Sequence, residues 1–423
     1  MKFNSTLVKS HHNFWEGDNI PLARAKVKEA KSRPQHSLER YFYQSEYIYQ
    51  RELSNILLRS WIYAGHSSEL ANPGDYLTFE IGSDSIIVVR DKSNNIHVLA
   101  NTCRHRGARV CLERHGNHNT FVCPYHAWVY NLDGSLRKAR EMGPDFDTSA
   151  HGLRKLKSCI VEGMIFVNCD ENAADFSAVS EEVMPQLKPY KLAEAKVALR
   201  KSYRVEANWK LALENYLECY HCAPSHKAYS KVHTFSEDSE RVDILNQTME
   251  TRAQQELGFG ESFIKRVRKQ YSDEPAFGCT ISHMRYALFE GYQTGSIDGQ
   301  ACAPLMGDFS SFDGGAGDFQ FGPVSAMLNY PDYCVIYRFL PLSIQLSEIE
   351  VVWLVRGNAM EGKDYQVERL IEMWDVTTKE DELIIRRNQE GINSLMYRPG
   401  PRSEVFEELN MNFTRWYLQA LNL

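Results

Sequence analysis

The sequence predicts an α+β protein of two domains: a small, mostly β domain over residues 46–168 and a larger α+β domain over residues 169–423. Three observations predict it. Short β-branched segments separated by Gly, Asn, Asp and Ser crowd the first part of the chain. Apolar residues spaced three and four apart dominate the C-terminal part. A chain of 423 residues is also long enough for two or three ordinary domains.

Residues 1–45 are polar and form an N-terminal helical segment expected to pack on the larger domain. Pro21 opens one short helix at Leu22-Ala23-Arg24-Ala25, and Ser37 precedes a second at Leu38-Glu39-Arg40-Tyr41. Tyr47, Leu53, Ile56, Leu57 and Trp61 then keep a rough helical period. Strands are expected at 76–81, 85–90, 96–99 and 160–167. A Pro- and Ala-rich stretch near 172–195 leads to a helix that starts at Asn208. Beyond it, 334–339 and 350–355 read as strands. Val367, Leu370, Ile371 and Trp374, and later Val405, Leu409, Phe413, Trp416 and Ala420, read as helices.

Composition narrows the function classes. Apolar residues make up 43% and charged residues 24%, the balance of a folded globular protein. The net charge is −7 and no basic run is present, which argues against a nucleic-acid partner. No apolar run has the length of a membrane span and the first residues show no apolar signal region, so the expected location is cytoplasmic. The ten cysteines fall mostly at irregular spacings, so most are expected to be reduced thiols.

Two constellations carry chemistry. Cys103-Arg104-His105 is followed, after 17 residues, by Cys123-Pro124-Tyr125-His126. Two thiolates and two imidazoles from two loops make a four-ligand metal site. Zinc fingers usually group a Cys pair and then a His pair. Here each loop supplies one of each, which suits a two-iron cluster with both Cys on one iron and both His on the other. His115 and His118, between the loops, sit in a polar stretch that reads as a solvated surface turn.

The second constellation is the helix from Asn208. Trp209, Ala212, Leu213, Tyr216, Leu217 and Tyr220 form one buried stripe, with Glu214, Glu218 and His221 beside it. Two glutamates four apart repel, so Lys210, water or a cationic centre should offset them. Pro224 should end the helix and swing His226 toward His221. A plain solvated acidic face is the simpler account of the same residues. Cys219-X-X-Cys222 invites a redox reading, but with no strand directly before it both are expected to stay reduced.

Cys-X-His, 17 residues, Cys-X-X-His resembles the Rieske [2Fe–2S] signature, with Tyr125 where respiratory Rieske proteins carry an extra Cys, and with Cys111 too far along the first loop to supply the other. Glu-Asn-X-X-Glu-X-Tyr-His-X-X-X-X-His, about a hundred residues later, resembles the mononuclear iron site of Rieske non-haem iron oxygenases. The resemblance runs from about residue 45 to the C-terminus. Glu218 and its short spacing look most like the branch that oxidises choline, betaines and carnitine; arene dioxygenases carry Asp there. The resemblance implies a small all-β Rieske domain and a helix-grip (START-like) catalytic domain. It also implies a cluster on Cys103, His105, Cys123 and His126, and an iron on His221, His226 and a downstream carboxylate.

Asp381 aligns with that carboxylate, with Glu380 second and Asp375 third. Thr377 and Thr378 also read as helix-start caps, an arrangement in which the acidic residues need no metal. By the same resemblance Glu218 bridges the iron site to a cluster His of a neighbouring subunit, Tyr220 lies on that electron route, and Asn215 belongs to the site. The expected activity is that of the terminal oxygenase of a multicomponent monooxygenase. It would take O₂, and electrons from NAD(P)H through a flavin/iron–sulfur reductase, with or without a ferredoxin, and hydroxylate an aliphatic C–H or N-methyl group of a small substrate, a betaine-like or a polyketide-like one. The family implies a homotrimer or a multiple of it. An aromatic ring-hydroxylating dioxygenase and a Rieske electron carrier are the alternatives. If the substrate is a quaternary ammonium compound, Tyr292, Phe319, Phe321, Tyr330 and Tyr337 are candidates for an aromatic cage. The Gly-rich stretch 303–317 is a candidate pocket cover.

Overall fold

The computed structural model describes residues 15, 17–235, 237, 239–271 and 279–423. The first helix, Ile20–Lys31, starts where Asn19 accepts from the Leu22 N–H and Pro21 fills the first turn. Its buried face, Ala23, Val27 and Ala30, packs toward the helix Glu408–Ala420. Ser37 does not open a helix. Its N–H donates to the Gly400 carbonyl and its hydroxyl meets Tyr397, so it clips the N-terminal segment to residues 397–400. The next helices are Tyr41–Gln44 and Glu46–Asn55.

The small domain is built from three antiparallel sheets. One orders Ile96–Ala100, Asp84–Arg90, Asp75–Ile81 and His115–Asn117. A second joins Phe121–Val122, Val129–Tyr130 and Leu136–Lys138. The third pairs Ile62–His66 with Met164–Asn168, and the latter with Lys157–Val161. The single strand expected at 160–167 is therefore a hairpin. Glu162 and Gly163 both take positive φ, 48° and 78°, the geometry of a tight two-residue turn. His115 is exposed as expected but lies on an edge strand, and His118 stacks on Tyr76.

The larger domain centres on a seven-stranded antiparallel sheet. Its order is Ala195–Val205, Leu346–Arg356, Cys334–Ser343, Ser325–Asn329, Gly315–Phe321, Cys279–Ala287, Val267–Tyr271. Alternation decides what each face carries. Val335, Tyr337 and Phe339 join a core shared with Leu370, Trp374 and Ile385 of the long helix Val367–Asn393. Ile336, Cys334, Phe319 and Phe321 face the opposite core, with Phe166 and Phe176. A sheet gripping one long helix is the helix-grip architecture that the resemblance implied.

Candidate metal centres

The two cluster loops are near copies of one turn. Gly107 N–H donates to the Cys103 carbonyl and Cys103 N–H to Ala108; Ala127 N–H donates to Cys123 and Cys123 N–H to Trp128. Gly107 and Ala127, each four residues after its cysteine, both take positive φ. Glycine adopts that conformation freely, whereas Ala127 is held there by the loop. The result sorts the ligands by type. Cys103 and Cys123 are buried side by side. His105 is exposed, His126 half-buried, and their Nδ1 atoms face each other at 3.1 Å. A sulfur end inside and an imidazole end at the surface fits a two-iron cluster with chemically distinct ends better than one tetrahedral ion. Around it, Tyr130 OH lies 3.1 Å from Cys103 Sγ, Trp128 stacks on His105 and Tyr125 on His126.

The second centre starts at Asn208. Its side chain accepts from the Lys210 N–H and donates to the Ile344 carbonyl at 2.8 Å, while its own N–H donates to Gln389 on the long helix. That locks the start of the helix Trp209–Tyr216 to the elements around it. Lys210 does not offset the glutamates: its amine is buried against Glu52 at 2.5 Å. Glu214 is met instead by Arg402 at 2.8 Å and by the Tyr43 hydroxyl at 3.0 Å.

The helix ends at Tyr216, earlier than its apolar period suggests, because Glu218 turns its carboxylate onto the Tyr220 and His221 N–H groups. Pro224 is not the terminator. It lies in the short helix Cys222–Ser225, where a first-turn residue needs no N–H partner. The break also overturns the expectation of reduced thiols at 219 and 222, since it brings Cys219 and Cys222 together as a disulfide. Tyr220 leaves the apolar stripe and is 61% exposed, stacked on Phe406.

Glu380 and Asp381 sit in the middle of the helix Val367–Asn393, so the helix-start explanation of their charge does not apply. Asp381 Oδ1 lies 3.2 Å from His221 Nε2 and 2.9 Å from His226 Nε2, and the three ligand atoms gather within 4.8 Å. The far nitrogens are also held: His221 Nδ1 by Glu218 at 2.6 Å and His226 Nδ1 by Glu380 at 2.8 Å. Glu380 thus supports His226 from outside the triad, and Asp375 is elsewhere, bound to Lys201, Tyr203 and Lys379. Burial pushes the Asp375 carboxyl up, but these partners hold it at about 2. Asn215 Nδ2 comes within 3.2 Å of His221 Nε2. Burial pushes the His221 imidazole down, yet Asp381 and Glu218 outweigh it and hold it at about 9, a measure of how strongly the site attracts positive charge. Two imidazoles and one carboxylate, each imidazole oriented by a second carboxylate, fit a non-haem iron(II) with open positions.

The profile described as Ring hydroxylating alpha subunit (catalytic domain) matches residues 192–422, and the Rieske [2Fe-2S] domain profile matches residues 60–158. The chain is 34% identical over 412 residues to the glycine betaine monooxygenase oxygenase subunit of Pseudomonas aeruginosa, covering 96% of this chain and 94% of that one. The chain belongs to the Rieske non-haem iron oxygenases. The carnitine monooxygenase oxygenase subunit of Escherichia coli is 35% identical over 245 residues, 56% of this chain and 62% of that one. A solved quaternary ammonium Rieske monooxygenase shares the fold, with a TM-score of 0.66 at 23% identity over 92% of this chain and 97% of that one. As a Rieske oxygenase the chain is an O₂-dependent oxidoreductase with a [2Fe–2S] cluster and a mononuclear iron. It is the terminal oxygenase of a system whose reductase supplies electrons from NAD(P)H. Among the described residues no helix is long and apolar enough to cross a membrane.

Beside the triad opens a cavity of about 70 Å³. Tyr216, Tyr229, Phe235, Tyr286, Tyr337 and Trp374 line it, with Asp318 on the sheet side. Of the five cage candidates only Tyr337 is there. Phe319 and Phe321 face the other core, Tyr330 is buried against His233, and Tyr292 only packs against the first core. The Gly-rich stretch is not a lid: Asp308 N–H donates to Pro189 and Met306 N–H to Pro331, and residues from Gly315 onward are a sheet strand. Tyr216 lay in plain view beside the motif, whereas nothing in the sequence set Tyr286 and Asp318 apart from ordinary strand residues.

Proposed function

We propose that this oxygenase hydroxylates an N-methyl group of a small quaternary ammonium compound, which then collapses to a tertiary amine and formaldehyde. The observation that carries this reading is the aromatic cavity at the triad. Ring faces bind an onium group that has no N–H to donate. The full-length relatives named for glycine betaine support it.

In this reading Cys103, His105, Cys123 and His126 hold the cluster, and His221, His226 and Asp381 hold the iron. Bound there, the cluster supplies single electrons and the iron supplies O₂ activation. The chain's own part is to orient and to exclude. Glu218 and Glu380 fix the imidazoles, Asn215 offers its amide beside His221, and the rings place a methyl group while keeping water out.

Glu218 also lines a second cavity, of about 320 Å³, which reaches His221 as well. That supports electron entry there, past Tyr220, from the cluster of a neighbouring subunit. Apolar exposure supports a homotrimer or a multiple of it: Leu112 and Tyr125 are exposed near the cluster, and Tyr220, Leu395 and Met396 on the larger domain. A flavin/iron–sulfur reductase, directly or through a ferredoxin, and a cytoplasmic location complete the reading.

The test is O₂ uptake with a surrogate reductase across choline, betaines, carnitines, arenes and aliphatic acids, with formaldehyde measured. Formaldehyde equimolar with O₂ for a trimethylammonium compound is expected. Uptake with arenes or aliphatic acids alone would sink the proposal.

A further inference from the structure

The cavity wall opposite the triad carries a charge that the iron site does not use. Asp318 lies on the strand Gly315–Phe321, between Met284 and Leu328 of the flanking strands. Among the described residues it receives one hydrogen bond, from the Tyr216 hydroxyl at 3.3 Å, and no Lys or Arg pairs with it. Burial pushes its carboxyl up to about 7, against a weaker pull from Tyr216. A carboxylate kept in such a wall without a cation is costly, and an apolar residue would pack there more cheaply.

The other carboxylates at the site are occupied. Asp381, Glu218 and Glu380 are all turned onto His221 and His226. Among the described lining residues there is no Lys or Arg to pair with a ligand's carboxylate. The ring faces of Tyr216, Tyr229, Tyr286, Tyr337 and Trp374 add negative potential. Asp318 also borders an adjoining pocket lined by Arg266 and His283, neither of which hydrogen-bonds or ion-pairs with it among the described residues, so it stands as the charge that a positive ligand in the aromatic cavity would meet.

We propose that Asp318 is the counter-ion of the substrate's onium group, so that the cavity selects a ligand of net positive charge over its zwitterionic and uncharged analogues. The inference rests on the N-methyl oxidation reading and adds the charge class of the substrate and the residue that sets it. A choline-like compound, with a hydroxyl in place of a carboxylate, meets it. In glycine betaine the carboxylate is two bonds from the nitrogen and falls among the same rings with no Lys or Arg to receive it.

The test is calorimetric binding to the iron-loaded holoenzyme of choline, glycine betaine and 3,3-dimethylbutan-1-ol, the uncharged carbon isostere of choline. Choline is expected to bind at least about tenfold more tightly than either of the others. Asp318→Asn should weaken choline about tenfold and leave the isostere unchanged, with KM for choline raised and kcat within about twofold. Asp318→Glu, which keeps the charge, should restore part of the loss, and both variants should keep the Rieske spectrum. Equal affinity of the wild type for choline and betaine, or an equal effect of Asp318→Asn on all three ligands, overturns the proposal. If formaldehyde is still released in that case, N-methyl oxidation stands without it. If no trimethylammonium probe binds or yields formaldehyde, both readings fall.

Discussion

His226 is gripped at both ring nitrogens by consecutive residues of one helix, Glu380 at Nδ1 and Asp381 at Nε2. The imidazole cannot rotate without breaking one of these contacts, so its direction is set before any metal binds. Glu380→Gln keeps an acceptor and removes the charge. It should weaken iron(II) binding by about 10-fold or more, read by chelator competition, while the visible spectrum of the cluster stays unchanged. His221→Ala should likewise keep that spectrum and abolish formaldehyde release.

Asp318 gives the pH dependence its sign. Its folded carboxyl titrates at about 7, above the usual 3.8, so it is mostly protonated at pH 6 and mostly ionised at pH 8. Of the titratable groups around it, Tyr216, Tyr229 and Tyr286 are pushed up and stay neutral, burial pushes the His283 imidazole down to about 3 so that it too stays neutral, and Arg266, which shares an adjoining pocket with Asp318, keeps its charge throughout. Choline affinity should therefore rise about tenfold from pH 6 to pH 8 and be flat in Asp318→Asn. Stability moves the other way. Between pH 4 and 7 the unfolded chain binds fewer protons at this residue than the folded one, so stability falls as pH rises. The melting temperature of Asp318→Asn relative to wild type should climb through that window and level off above it.

The helix Trp209–Tyr216 is short, and its position rests on one residue at its start. Asn208→Ala removes the cap and leaves the Ile344 carbonyl without its donor. A loss of about 2 kcal/mol is expected, measured by denaturant unfolding, with weaker iron retention because Asn215 and the Glu218 turn shift with the helix. This element also shows where sequence reading stops. The apolar period of Trp209, Ala212, Leu213 and Tyr216 was legible because spacing along a helix is local. Its end was not, because a carboxylate curling back onto two N–H groups leaves no trace in periodicity. The disulfide followed from the same missed break. Likewise the long helix hid its own boundaries: Thr377 and Thr378 look like caps, yet Thr377 bonds the Met373 carbonyl inside the helix.

At the scale of the molecule, the cluster site was the most legible part, since each loop brings its Cys and His within four residues of one another. The iron site was half legible. His221 and His226 are near neighbours, but Asp381 comes from 155 residues further on and was reached through the family. Of the cavity wall on the sheet only Tyr337 was singled out, because Asp318 and Tyr286 meet it only through the register of a sheet. Mixed oligomers test how subunits cooperate. His105→Ala and His221→Ala proteins, each inactive alone, should regain activity when refolded together if electrons cross between subunits. No recovery would place both centres of one turnover in the same chain.

The two centres are also mounted differently. The second cluster loop joins two strands of two residues each, Phe121–Val122 and Val129–Tyr130, and the first runs from Ile96–Ala100 to the three-residue edge strand His115–Asn117, so little ladder holds either loop on its far side. Of the candidate iron ligands, Asp381 stands on a 27-residue helix and His221 and His226 flank the short helix Cys222–Ser225, with every imidazole nitrogen already engaged. Cluster insertion is therefore part of the small domain's folding, whereas the mononuclear iron is a guest in a finished seat. A mild chelator should strip that iron and leave a coloured, fully folded, idle enzyme. Adding iron(II) should return it to work without refolding, so exchange at this seat can be fast while the cluster lasts the life of the chain.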